Sequence, residues 1–388
     1  MFMSQPIRLS ALTLILLHAV PPAAPACTLC SGNPQTAVTV RLAAQQAKLV
    51  LYGTMSNPRL DPAGAAAPGS GRTDFRIDQV LKSDPFLAGK HVIEVPRYVP
   101  VDPKTPARYV LFCDVYNGKL DPYRGMPAPS AETLAYVRGA LALDPKNTVA
   151  NLLFFFRYLD HADQDLANDA FIEFAKANDQ EIGQVAARLA PDKVRRLLLD
   201  PKTPPERLGL CAFLLGACGG PRDAELLRGM LDRPSERVGK AYDGILGGYI
   251  QLQPRAGWDL AVAILADGRK PFPDRFAVLR TLRFYHAWKP EETRRDVLRG
   301  LGVLLDQGDI ADMAVEDLRR WQMWDLTDRV LAQFGKQSHA APIMRRAIVR
   351  YALSCPRPEA ARFVAELRRQ DADLVADVQE SLEFEKVK

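Results

Sequence analysis

From Thr148 to the C-terminus, no stretch carries the two-residue apolar alternation of a half-buried strand. Short segments with helical apolar spacing follow one another instead, broken by turns rich in Pro and Asp. The spacing predicts helices over 131–143, 148–161, 165–177, 179–188, 191–199, 204–217, 221–232, 235–252, 256–267, 273–286, 290–306, 310–320, 324–334, 340–353, 357–370 and 372–384. A pair of helices this short cannot hide its apolar stripe alone, so neighbouring pairs must stack. That requirement constrains the chain more than any other feature and points to an α-solenoid over residues 148–388.

Internal similarity has the matching period. An acidic residue or a proline precedes Arg207, Arg237 and Arg275, which lie 30 and 38 residues apart. Arg346 follows 71 residues later, close to two more units, and the unit near Met313 lacks the arginine. Pro342-Ile343-Met344-Arg345-Arg346-Ala347-Ile348-Val349-Arg350-Tyr351-Ala352-Leu353, followed by Pro358 to Leu367, resembles a HEAT-type repeat. Asp274 to Leu282 is similar, and Asp373 to Leu382 resembles the first helix of a truncated unit. The resemblance implies architecture and no chemistry.

The chain before residue 128 has a different character. A short helix is expected from Thr36 to Gln46. Strands are expected at Lys48–Met55, Asp74–Leu81, His91–Val95 and Arg108–Val115, with a hairpin turn at Asn117-Gly118. Asn57 to Arg72 reads as a long loop, and the prolines of 96–106 exclude a central strand there. Cys27-Thr28-Leu29-Cys30, Leu49 to Thr54, Phe75 to Lys82 and Tyr109 to Cys113 together resemble a netrin-like module. That module is the OB-type barrel of the tissue inhibitors of metalloproteinases. The fold class expected is therefore α+β multidomain: a small OB-type β-barrel over 27–127, a connecting helix and linker over 128–147, and an all-α HEAT-like solenoid over 148–388.

Arg8, the apolar run Leu9 to Val20 and the end Ala24-Pro25-Ala26 read as a secretory signal peptide over 1–26. The run falls short of the roughly 20 apolar residues that span a bilayer. An exported protein, extracellular or periplasmic, is expected, with no membrane span. A net charge of +5, interleaved with acidic residues at helical spacings, argues against nucleic acid as partner. Cys27, Cys30 and Cys113 are disulfide candidates, and Cys27 and Cys30 read most simply as tying the N-terminal segment to the strand of Cys113. Free thiols, a redox pair, a metal site with Cys113 as a further ligand, and lipid attachment at Cys27 are the other readings. The netrin-like resemblance implies a sharper one, in which the amine and carbonyl of a mature N-terminal Cys27 chelate a protease zinc and Thr28 enters the specificity pocket. The family has Cys-x-Cys at this place, whereas here it is Cys-x-x-Cys.

Elsewhere the residues argue for bland roles. Cys211 and Cys218 sit about 10 Å apart if on one helix, beyond disulfide reach. Asp160, Asp163, Asp165 and Asp169 lack the EF-hand spacing and suit helix capping. His286 reads as a packed helix-end residue, and Trp321 and Trp324, with Met323, as core on one helix. No catalytic motif, metal-ligand cluster or cofactor fingerprint is present. The function expected is non-catalytic protein binding or scaffolding on the solenoid face. Protease inhibition by Cys27-Thr28 is one alternative, and an enzyme with dispersed catalytic residues is another.

Overall fold

A sheet and a long run of helices share one buried cluster, which begins at Val40 and ends at Val378. This architecture comes from a computed structural model that describes residues 37–61, 70–116 and 118–387. Helix α1 (Val40–Gln46), capped by Thr39, leads into strands β1 (Leu49–Leu60), β2 (Gly71–Lys82), β3 (Val92–Val95), β4 (Arg108–Tyr116) and β5 (Lys119–Pro127). All pairs are antiparallel, in the order β3-β2-β1-β4-β5. Strand β1 is central, so Leu49 to Met55 are buried on both faces. Val50, Tyr52, Val110 and Phe112 face the helices, while Leu49, Leu51, Phe75 and Leu111 form a separate small core with Ile93 and Val95.

Two expectations are corrected here. No ladder joins β3 to β5, so the described strands form an open sheet and not a closed barrel. Both ends of the stretch read as a loop over 57–72 are paired strand: Arg59 faces Arg72 and Leu60 faces Gly71. A register shift at Ser56/Arg59, with Asn57 at φ +49°, accommodates Pro58 where a regular ladder would not. Arg59 then clamps the hairpin by ion pairs to Asp74 (2.6 Å) and Glu94 (3.2 Å).

The helices are α2 (Ala131–Leu141), α3 (Thr148–Phe156), α4 (Gln164–Lys176), α5 (Asp179–Ala186), α6 (Pro191–Leu199), α7 (Pro205–Cys218), α8 (Pro221–Asp232), α9 (Glu236–Gly239), α10 (Tyr242–Leu252), α11 (Pro254–Ala266), α12 (Phe272–Trp288), α13 (Pro290–Leu304), α14 (Ala311–Arg320), α15 (Thr327–Leu331), α16 (Pro342–Ser354), α17 (Pro358–Gln370) and α18 (Ala372–Val387). Proline in the first turn starts α6, α7, α8, α11, α13, α16 and α17, where its fixed φ suits a helix and its missing N–H costs nothing. The run expected over 235–252 breaks at Lys240–Ala241 into α9 and α10.

These helices stack as repeating pairs. Helix α7 packs on α10 and α10 on α12; further on, α14 packs on α16 and α16 on α18. A second row pairs α11 with α13 and α15 with α17. Side chains reach backbone carbonyls one repeat away: Gln251 to Phe213, Thr281 to Asp243 and Tyr285 to Gly247, each 38 residues apart. Buried His339 reaches the Leu305 carbonyl 34 residues away. The marker arginines also bridge repeats, but not equivalently. Arg207 and Arg237 reach back to Asn168 and to the carbonyls of Asp200 and Thr203, whereas Arg275 and Arg346 reach forward to Asp309 and Asp377.

Candidate functional site

A groove of 790 Å³ opens where α10 turns into α11 and α12 turns into α13. Both turns are built alike. Gln253 and Lys289 each end one helix and begin the next, at φ −136° and −137°, and each donates its N–H to a tyrosine carbonyl four residues back, Tyr249 and Tyr285. A proline follows each, which forces the residue before it out of helical conformation. The motif Tyr-x-x-x-x-Pro thus recurs between Tyr249-Pro254 and Tyr285-Pro290, a repeat signature that the arginine spacing had not exposed.

The floor of the groove is aromatic. Tyr285 is buried, its hydroxyl donating to the Gly247 carbonyl at 2.7 Å, and Trp258 packs against it at 5.1 Å between ring centroids. Trp288 is half-buried and stacks edge-on against Phe213 at 5.1 Å. Its indole lies so close over Gly183 that a Cβ there would have to displace it. The rim is charged: Arg255, Lys289, Arg295 and Arg299 face Asp259, Glu292 and Asp296. Arg299 pairs with Asp259 at 3.0 Å and Asp296 at 3.5 Å, and Lys289 pairs with Glu292 at 3.0 Å. Arg255 and Arg295 are exposed and make no ion pair among the described residues. The lining contains no histidine, cysteine or serine, and both of its hydroxyls are engaged, Tyr285 with the Gly247 carbonyl and Thr293 with the carbonyls of Lys289 and Tyr285.

Two smaller cavities, 560 and 350 Å³, lie along the row of first helices. Their charges pair one helix with the next. Arg280 and Arg283 of α12 hold Asp243 of α10 and Asp317 of α14, both at 2.7 Å, and Arg350 of α16 holds Glu385 of α18 at 2.6 Å. Burial lifts the Asp243 carboxyl to about 6, with Arg280 opposing the rise. Between about pH 4 and 6 the folded chain keeps a proton here that the unfolded chain releases, so this group's contribution to stability falls as pH rises through that window and is level above it. A shift of this size corresponds to about 3 kcal/mol. Asp243→Asn removes that slope. Urea midpoints of both proteins at pH 4.5 and 7 test it, and equal slopes would refute it.

The sequence candidates fall in different places. Cys27, Thr28 and Cys30 lie outside the described residues. Cys113, expected to bond to the N-terminal segment, is a free thiol in the middle of β4, and burial pushes it up to about 12, away from thiolate chemistry. Cys211, Cys218 and Cys355 are free as well. The four aspartates take different roles: Asp163 caps α4 by accepting the Asp165 N–H, Asp165 stands in that helix's first turn, Asp160 pairs with Lys193, and Asp169 is buried under α1. No group of three or more His, Cys, Asp or Glu is placed to hold a metal ion among the described residues. Trp321 and Trp324 do not share a helix, because Gln322 takes φ +56° and turns the chain; Trp321 stacks on His286 at 3.9 Å, and Trp324 meets Tyr351 edge to face at 5.1 Å. Sequence reading missed the groove residues themselves. The signal that finds them is the repeated tyrosine–proline turn.

No family model matches the chain, and no curated protein does. Among solved structures, human deoxyhypusine hydroxylase in complex with glycerol is similar over 66% of this chain and 90% of that chain, at 15% identity and a TM-score of 0.27. The netrin-like and HEAT-type resemblances therefore rest on residue patterns. In the structure this chain has an antiparallel five-stranded sheet followed by stacked helix pairs, with an aromatic-floored, arginine-rimmed groove across two of their turns.

Proposed function

We propose that the protein is a non-catalytic binding protein, acting outside the cytoplasm, whose helical repeats take an extended polypeptide segment in the α11–α13 groove. The carrying observation is the half-buried Trp288 in a groove that runs across consecutive repeat turns. Tryptophan and arginine dominate binding energy at protein interfaces, because they combine large contact area with oriented donors. A lining without a nucleophile–base pair supports binding over chemistry. Export rests on the leader-like residues 1–26.

The test is panning of a displayed random dodecapeptide library on the full chain. Enriched peptides are expected to lose at least about tenfold in affinity, 1.4 kcal/mol, in the groove-filling variant Ala187→Tyr and in Trp288→Leu. Ala187 is exposed on the groove wall, so its substitution leaves the core alone. Peptides that bind both variants like the parent would place the binding site elsewhere and overturn the reading.

A further inference from the structure

We infer that the segment this groove takes is acidic, its carboxylates seated on Arg255 and Arg295. This rests on reading the groove as a polypeptide site, and it adds the chemistry of the occupant.

The charges on the two walls decide it. Helices α11 and α13 pack side by side, and Arg299 of α13 reaches Asp259 of α11 at 3.0 Å. Arg295 precedes Arg299 by four residues, and Arg255 precedes Asp259 by four. Residues four apart share a helix face. The unpaired arginines therefore stand one turn below the bridged pair, along the same seam and nearer the two helix N-termini. Each rim carboxylate already has a cation, Asp259 and Asp296 on Arg299 and Glu292 on Lys289. Two like charges along one seam repel unless an anion lies between them. The N-terminal turn of α11 has no side-chain cap and no acidic residue, so it adds positive potential beside Arg255, whereas the first turn of α13 carries Glu291 and Glu292. Guanidinium groups bind carboxylates in a bidentate fork, and the half-buried Trp288, with Lys289 Nζ 4.8 Å over its ring, leaves part of its indole to a residue beside the acidic one. An extended segment with acidic side chains flanking an apolar one meets both demands.

Three fluorescein-labelled dodecapeptides test this on the full chain: one alternating Glu with Leu and Phe, its Gln isostere and its Lys counterpart. Fluorescence anisotropy is read at 50 and 300 mM NaCl. The Glu peptide is expected to bind at least tenfold tighter than the Gln isostere, to weaken with salt, and to lose that preference in Arg255→Gln/Arg295→Gln. Arg362→Gln, on an exposed arginine of α17, controls for general charge and is expected to change nothing. If the Gln or Lys peptide binds as tightly as the Glu peptide while Ala187→Tyr still abolishes binding, the acidic preference is overturned and the groove reading stands. If no peptide responds to Ala187→Tyr, the groove reading itself fails. Equal loss in Arg362→Gln would reduce the preference to non-specific charge and overturn the inference.

Discussion

Gly248→Ala is expected to destabilise the protein by at least about 3 kcal/mol, near the upper end for overpacking, although alanine is the better helix former. Helices α7 and α10 approach through glycines on both sides. A Cβ at Gly248 would run into the Ala212 backbone carbonyl, one at Gly216 into the Gly248 backbone, and one at Gly244 into the backbone of Gly209. The obstructing atoms are main chain, so no rotamer change relieves the clash and one helix must move. Movement of α10 also carries Ile250 and Gln251, which line the groove. Gly229→Ala in α8 is the matched comparison. A Cβ there meets nothing within 4 Å, and the substitution should stabilise by about 0.5–1 kcal/mol. Urea unfolding of the two variants reads both signs. A Gly248→Ala protein as stable as the parent would show that α7 and α10 do not need the close approach.

Asp169→Ala is expected to cost about 3–5 kcal/mol, the cost of breaking a buried charged network. The Asp169 carboxylate accepts the Val40 N–H at 2.8 Å and the Tyr136 hydroxyl at 2.6 Å, all three residues being buried. It therefore fixes α1 and α2 to α4, and with them the sheet to the first helices. Burial holds its carboxyl above the ordinary range, while the bonds from Tyr136 and Val40 pull the other way. Alanine leaves a buried hydroxyl and a buried N–H without an acceptor. Beside it Arg41 pairs with Glu173 at 2.7 Å, so α1 keeps one tether and should loosen rather than dissociate. Amide hydrogen exchange across Val38–Gln46 is the direct readout, with protection lost there first. Unchanged protection in that segment would remove Asp169 from this role.

Much of the helical region was legible from apolar spacing, because a helix a few turns long must carry a stripe and its proline and aspartate boundaries are local. The spans 191–199 and 221–232 coincide with α6 and α8. The misreadings came where long-range pairing overrides local composition. Gly71 and Arg72 look like loop but complete a hairpin with β1, and Trp321 and Trp324 keep helical spacing across a left-handed turn at Gln322. Cys113 lies in β4, between β1 and β5, where it is buried, while Cys27 and Cys30, its expected bonding partners, lie outside the described residues.

By itself, the sequence determined that helices follow a β region and that the helices must stack, since both follow from the period of apolar residues and from the inability of short pairs to shield their stripes. Only the tertiary structure decided that the sheet stays open, that glycines on α7 and α10 set the closest helix approach, and that Arg255 and Arg295 share a seam beside Trp288. The glycine approach and the arginine seam depend on which residues one repeat apart come to lie side by side, a property of the stack and not of any single helix, while the open sheet depends on which strands pair.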